Sequence, residues 1–322
     1  MRSTPSTPVP GRKWRPRDII LGADGLVRPL WRAVAFLVLT TVLGSMWHMA
    51  LLREVTSSLP KNAGRMLAQS VLIVTWLLLS WVLLAALDRR SFRVLGLWFY
   101  PAWARELFVG IGIGSGMMAV VVGLQAAFGA VRYAGVGPAP QAALTNAAYL
   151  AAVFFVWAAF EEVVLRGYAF QRLVDSVGRL AAIAIFPALL AVGHSGTPGA
   201  TWFSTVNTVL QGVLFGVAYL KTRALWMPIG LHFAWNYTMM VVLSVPVSGL
   251  SIIRFGEKVF RVELFGPEWL SGGAYGPEGS VVLTVAAAAL LVWMVRTPLL
   301  ATSAAMNDIL KKREATPPVE VK

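Results

Sequence analysis

Cysteine is missing from the 322-residue chain, and charge is scarce, with Asp, Glu, Lys and Arg making up 13% of residues. No cysteine means no disulfide and no thiolate metal site. So little charge excludes an ordinary water-soluble domain, in which about a quarter of residues are charged. Histidine is nearly absent too, with three in the chain. Any chemistry that needs an imidazole must draw on His48, His194 or His232. A phosphate-binding loop is also lacking. The glycines at 110, 112, 114 and 116 follow no strand and lead to no Lys-Ser/Thr pair. There is no obvious internal repeat, which argues against an inverted-repeat transporter, and no cleavable leader pattern is evident.

What the chain has in abundance is apolar surface, with 57% hydrophobic residues and a mean hydropathy of +0.68. Its apolar runs are continuous rather than alternating, which selects membrane-spanning helices over a barrel. The expected fold is an all-α polytopic membrane protein of about eight transmembrane helices, over Ala33–Leu52, Met66–Leu87, Leu107–Val131, Ala143–Phe170, Leu180–Gly193, Phe203–Leu220, Leu225–Val245 and Ser280–Val295. Residues 1–32 read as a basic, disordered arm lying on anionic lipid. Residues 33–142 supply three helices, 143–245 the core, 246–279 an outer loop rich in aromatics, and 280–322 the last helix with a basic tail.

With the N-terminus inside, the inner segments hold 20 Lys and Arg and the outer segments 7. The positive-inside rule then places both termini in the cytoplasm, and the expected location is a bacterial cytoplasmic (plasma) membrane. The net charge of +13 is thereby topological, and a nucleic-acid partner is not expected. The four glycines of the third span fall at i, i+4 spacing, which makes small-xxx-small faces for close helix packing.

The fourth span breaks the avoidance of charge. In AAFEEVVLRGYAF, Glu161, Glu162 and Arg166 interrupt an apolar stretch. Each such charge costs about 2.5–3.5 kcal/mol at a membrane helix centre, a cost that persists only with a partner or a wet cavity. Glu162 and Arg166 are i, i+4 and share a face as an ion pair. Glu161 is rotated about 100° away and stays free, which suits a general base. Counting about 1.5 Å per residue from the nearest inner basic residue puts Glu161 at roughly 17 Å, His194 at roughly 22 Å, His232 at roughly 14 Å and Asn236 at roughly 20 Å. Groups from three spans thus reach one slab near mid-bilayer. His232 and Asn236 share a face. His48 reads as interfacial, Asn207 and Gln211 as helix-packing hydrogen bonds, and Tyr168 and Phe170 as packing.

This inventory fits hydrolysis of a peptide bond by water. Glu161 takes the proton, His194 helps hold the water, and His232 with Asn236 donates to the oxyanion. A zinc site on Glu161, His194 and His232 uses the same residues, and sequence does not separate the two. The pattern resembles the CPBP family of CAAX prenyl endopeptidase and bacteriocin-processing (Abi) intramembrane proteases. Its Glu-Glu-x-x-x-Arg motif stands at Glu161–Arg166, its second motif at Leu190–His194 with Leu190 replacing an aromatic, and its His-x-x-x-Asn motif at His232–Asn236. The resemblance implies a cavity open to cytoplasm and lipid, with no covalent intermediate. Catalysis falls to Glu161, His194, His232 and Asn236, with Glu162 positioning Arg166. It implies a peptide or membrane-protein substrate, lipidated or not, and membrane lipids as partners. Two other functions fit the same residues: a catalytically silent scaffold or immunity factor, and an ion-coupled transporter.

Overall fold

The computed structural model describes residues 17–22, 25–47, 49, 55, 57–59, 61–250 and 258–311. The arm before residue 17, His48, the 251–257 part of the outer loop and the tail past 311 lie outside the described residues, as do the side chains of Lys61, Asn62, Arg65 and His194.

Helices dominate, as expected of an all-α membrane protein. They are α1 (Pro29–Trp47), α2 (Lys61–Ala86), α3 (Trp103–Ala127), α4 (Pro140–Arg166), α5 (Tyr168–Val177), α6 (Arg179–His194), α7 (Trp202–Thr222), α8 (Trp226–Tyr237), α9 (Val281–Arg296) and α10 (Ala304–Lys311). Among the described residues, each of the eight apolar runs overlaps a helix. Five stretches are long and apolar enough to cross a membrane: Pro29–Trp47, Met66–Ala86, Trp103–Ala127, Pro140–Val177 and Trp202–Thr222. α6 and α9 are apolar but shorter, and α8 continues into a π-helical turn at Thr238–Val242.

Three expectations need correction. A small antiparallel ribbon joins β1 (Val131–Val136) to β2 (Phe260–Leu264), pairing two segments read as loops. Residues up to 32 are not all a loose arm. Arg17–Ile20 forms a helical turn, and α1 begins at Pro29. Finally, the fourth apolar run is not one unbroken helix to Phe170: the helix breaks at Gly167, after Arg166, and resumes at Tyr168. A Cβ at Gly167 would sit 2.1 Å from the Val163 carbonyl oxygen, so only glycine allows the chain to turn there into α5.

α5 closes the basic end of the bundle. Asp88, whose side chain is fully buried, pairs with Arg32 at 2.6 Å and with Arg172, and accepts a hydrogen bond from Tyr168 at 2.7 Å. This one carboxylate ties α1, the end of α2 and α5 together. Phe170 packs against Phe186 and Tyr219, as its packing role required. α10 folds back beneath the same end with Met306 buried. Lys221 donates to the carbonyls of Met294, Val295 and Thr297, which satisfies the unpaired C-terminal groups of α9.

The closest helix crossing is α3 on α8. A Cβ at Gly110 would meet the Met227 carbonyl oxygen at 2.4 Å, one at Gly114 the Leu231 carbonyl oxygen at 2.4 Å, and one at Gly230 the Leu107 carbonyl oxygen at 2.2 Å. The small-xxx-small expectation thus holds for Gly110 and Gly114. Gly112 and Gly116, on the other face, meet nothing within 4 Å. The backbone-to-backbone crossing seats α8, the helix that carries His232 and Asn236.

Candidate active site

Glu161 and Glu162 lie in the last turns of α4, facing α8 and α7. Arg166 donates from Nη1 to Glu162 Oε1 at 2.8 Å and from Nη2 to the Gly212 carbonyl of α7 at 3.1 Å. Its guanidinium also lies 5.3 Å from the centroid of Phe215. The Glu162 side chain is completely buried and that of Arg166 is 4% exposed. The expected ion pair is therefore enclosed by protein and does not reach out to the interface. The Gly212 carbonyl is reachable because α7 presses against α6 here: a Cβ on Gly212 would lie 2.7 Å from Pro187.

Glu162 does more than position Arg166. Its Oε1 also lies 2.9 Å from His232 Nδ1. A carboxylate oxygen accepts, so in this contact Nδ1 is the donor and carries a proton. Nε2 of the same ring is then turned toward Glu161 Oε2, 3.6 Å away. Neutral His232 presents a lone pair on Nε2, and it donates from that atom only when the ring holds both protons. Glu161, expected to be free, has a partner: Trp157, one turn earlier, donates from Nε1 to Glu161 Oε1 at 2.7 Å.

These groups line a cavity of about 230 Å³. Glu161, Arg166, His232 and Asn236 reach it from α4 and α8, with Trp157 and Phe215 beside them. Asn236 is half-buried, and its amide has no hydrogen-bond partner among the described residues, so its donors are available to a ligand. His194 closes α6, and its side chain lies outside the described residues. Leu190, one turn before it, lines the cavity. Asn207 is a packing residue, donating to the carbonyls of Glu278 and Ser280 and accepting from Thr284. Gln211 lines the cavity as well as packing.

A site residue that sequence reasoning missed is Glu278, with Ser248 beside it. Both come from the 246–279 segment, read as a loop on the outer face, yet both line the cavity. Trp235 Nε1 donates to Glu278 Oε1 at 2.9 Å, and Ser248 donates to Oε2 from its backbone N–H at 2.6 Å and its hydroxyl at 2.8 Å. The segment is thereby latched onto α8 and closes one end of the cavity.

Among the described residues no group of three His, Asp or Glu is placed to hold a metal. Two members of the expected zinc set, Glu161 and His232, do meet. The Nδ1 contact of His232 to Glu162 is the carboxylate-oriented arrangement common for histidine ligands. The residues described thus fit two corners of such a site.

Residues 143–238 match the family described as Type II CAAX prenyl endopeptidase Rce1-like. The match agrees with the resemblance drawn from the three motifs and spans somewhat under a third of the chain. No curated protein and no solved structure matches the chain.

Proposed function

We propose that this protein is an intramembrane endopeptidase that cleaves a peptide bond with a water activated by Glu161. The observation that carries the reading is the meeting of Glu161 Oε2 with His232 Nε2 at 3.6 Å, from two helices, at a cavity that also receives the unpartnered amide of Asn236. In the proposed reaction Glu161 takes a proton from water as the hydroxide adds to the scissile carbonyl carbon. Charge develops on the carbonyl oxygen, and the Asn236 amide donates to it. His232 adds a second donor from Nε2 when its ring is doubly protonated, with Glu162 fixing the ring through Nδ1. The proton on Glu161 then passes to the amide nitrogen as the C–N bond breaks, which leaves a new carboxylic acid and an amine. His194 is assigned to holding the water. Arg166 holds the Glu162 carboxylate in place.

A zinc ion, where bound, would be held by Glu161, His194 and His232 and would polarise the water. The eight apolar helices cross the membrane with both termini in the cytoplasm, in a bacterial plasma membrane. The substrate is a peptide or membrane protein. The direct test is a peptide-library cleavage assay on purified protein, with and without chelator. Discrete cleavage products that vanish in Glu161→Ala and His194→Ala support the reading. Equal cleavage by the Glu161→Ala variant sinks it.

A further inference from the structure

The cavity has a second acidic end, for which the hydrolytic reading has no use. Glu278 is 4% exposed, and its four hydrogen bonds come from neutral donors: Trp235 Nε1, Gln211 Nε2, and the N–H and Oγ of Ser248. Among the described residues it forms no ion pair with any Lys, Arg or His. Arg166, the only lysine or arginine in the lining, is already matched by Glu162. Among the described lining residues the carboxylates Glu161 and Glu278 thus outnumber the one guanidinium, and burying a carboxylate without a counter-charge is unfavourable. The end is also rich in acceptors. Gln211 makes the longest of the four contacts, 3.3 Å, and its amide oxygen accepts no hydrogen bond from a described residue. The chemistry that completes such an end is a cation bearing N–H donors.

The helix sets the spacing between the two ends of the site. Trp235, which holds Glu278, lies three residues after His232, which faces Glu161. That is about 4.5 Å along α8, and an extended peptide advances about 3.3 Å per residue. We infer that Glu278 is a specificity residue, and that the protein selects substrates carrying a lysine or arginine side chain within about three residues of the scissile bond. The inference rests on the endopeptidase reading above. A merely structural Glu278 would contribute to stability and leave the ranking of substrates unchanged.

The test compares N-acetylated, C-amidated peptides in which one position at a time holds lysine or norleucine, so that no terminal amine competes. The readout is the ratio of kcat/KM for the two residues. Wild type should favour lysine by about tenfold or more at a position within three of the cleaved bond, as expected for a close charge pair. The ratio, in which any change of overall rate cancels, should fall toward one in Glu278→Gln. Gln211→Lys, which supplies the cation internally, should also abolish the preference, and it serves if Glu278→Gln does not fold. A wild-type ratio near one at every position overturns the inference while leaving the endopeptidase reading intact. So does an unchanged preference in the folded variants. If wild type cleaves neither peptide, the endopeptidase reading fails and the inference falls with it.

Discussion

Replacing Gly114 by alanine should cost most of the activity, although the residue is remote from any reacting atom. The added Cβ would lie 2.4 Å from the Leu231 carbonyl oxygen and 3.0 Å from the Trp235 backbone nitrogen, both on α8. Neither atom is the movable tip of a side chain, so α8 itself must retreat, by about 1 Å at an ordinary contact distance. His232 and Asn236 ride on that stretch of α8. Overpacking of this kind costs about 1–3 kcal/mol of stability, and a 1 Å misplacement of catalytic groups costs about 10²-fold in rate. The same helix supplies the controls. Gly112→Ala and Gly116→Ala make the identical chemical change with nothing within 4 Å, and each gains the same helix propensity, about 1 kcal/mol. The assay is kcat/KM on a cleaved peptide, beside thermal unfolding in detergent. Gly114→Ala should fall about a hundredfold while the controls stay within twofold. Wild-type activity in Gly114→Ala, or an equal loss in Gly112→Ala, would refute the reasoning.

Other variants probe the remaining contacts. Trp157→Phe removes the N–H that holds Glu161, a charge-assisted bond of about 1.5–3 kcal/mol; kcat/KM should drop about 10- to 100-fold with the unfolding temperature little changed. Arg166→Lys cannot reach Glu162 and the Gly212 carbonyl together, so both the unfolding temperature and the cleavage rate should decline, and full activity would show that the fork is dispensable. Asp88→Asn removes the carboxylate that buried Arg32 and Arg172 share, and leaves Arg172 with Asp175 alone among the described residues. It should destabilise by about 3–5 kcal/mol in chemical denaturation, while activity per folded molecule stays within a few-fold.

Much of the site was legible because membrane helices make polar residues conspicuous. Glu162 and Arg166, and His232 and Asn236, could be paired from i, i+4 spacing alone, and costly charges in an apolar run had to find partners. The glycine faces were legible as a kind but not as a choice. Gly110 and Gly114 interleave with Gly112 and Gly116 at the same spacing, and only the position of α8 decides which pair is covered. The end of α4 was obscured because Tyr168–Phe170 continue the apolar composition past Arg166, whereas the break depends on a single backbone contact at Gly167. Glu278 was invisible for a different reason. It lies in a polar, glycine-rich segment, where a carboxylate costs nothing in water and so raises no question. Its importance comes from Trp235, Ser248 and Gln211, which are far from it in sequence. Trp157 was passed over because a tryptophan among apolar residues reads as packing, and its N–H is noticed only once its partner is known.

The central claim is that the Glu161 carboxylate removes the proton from water. It is tested most directly by Glu161→Gln, which keeps size and shape while deleting the base, compared with wild type on one peptide by mass spectrometry of the products. The account predicts that cleavage falls by at least about 10²-fold, the usual contribution of a general base, in a variant that unfolds at the wild-type temperature. Cleavage at the wild-type rate, at the same bond, would contradict it.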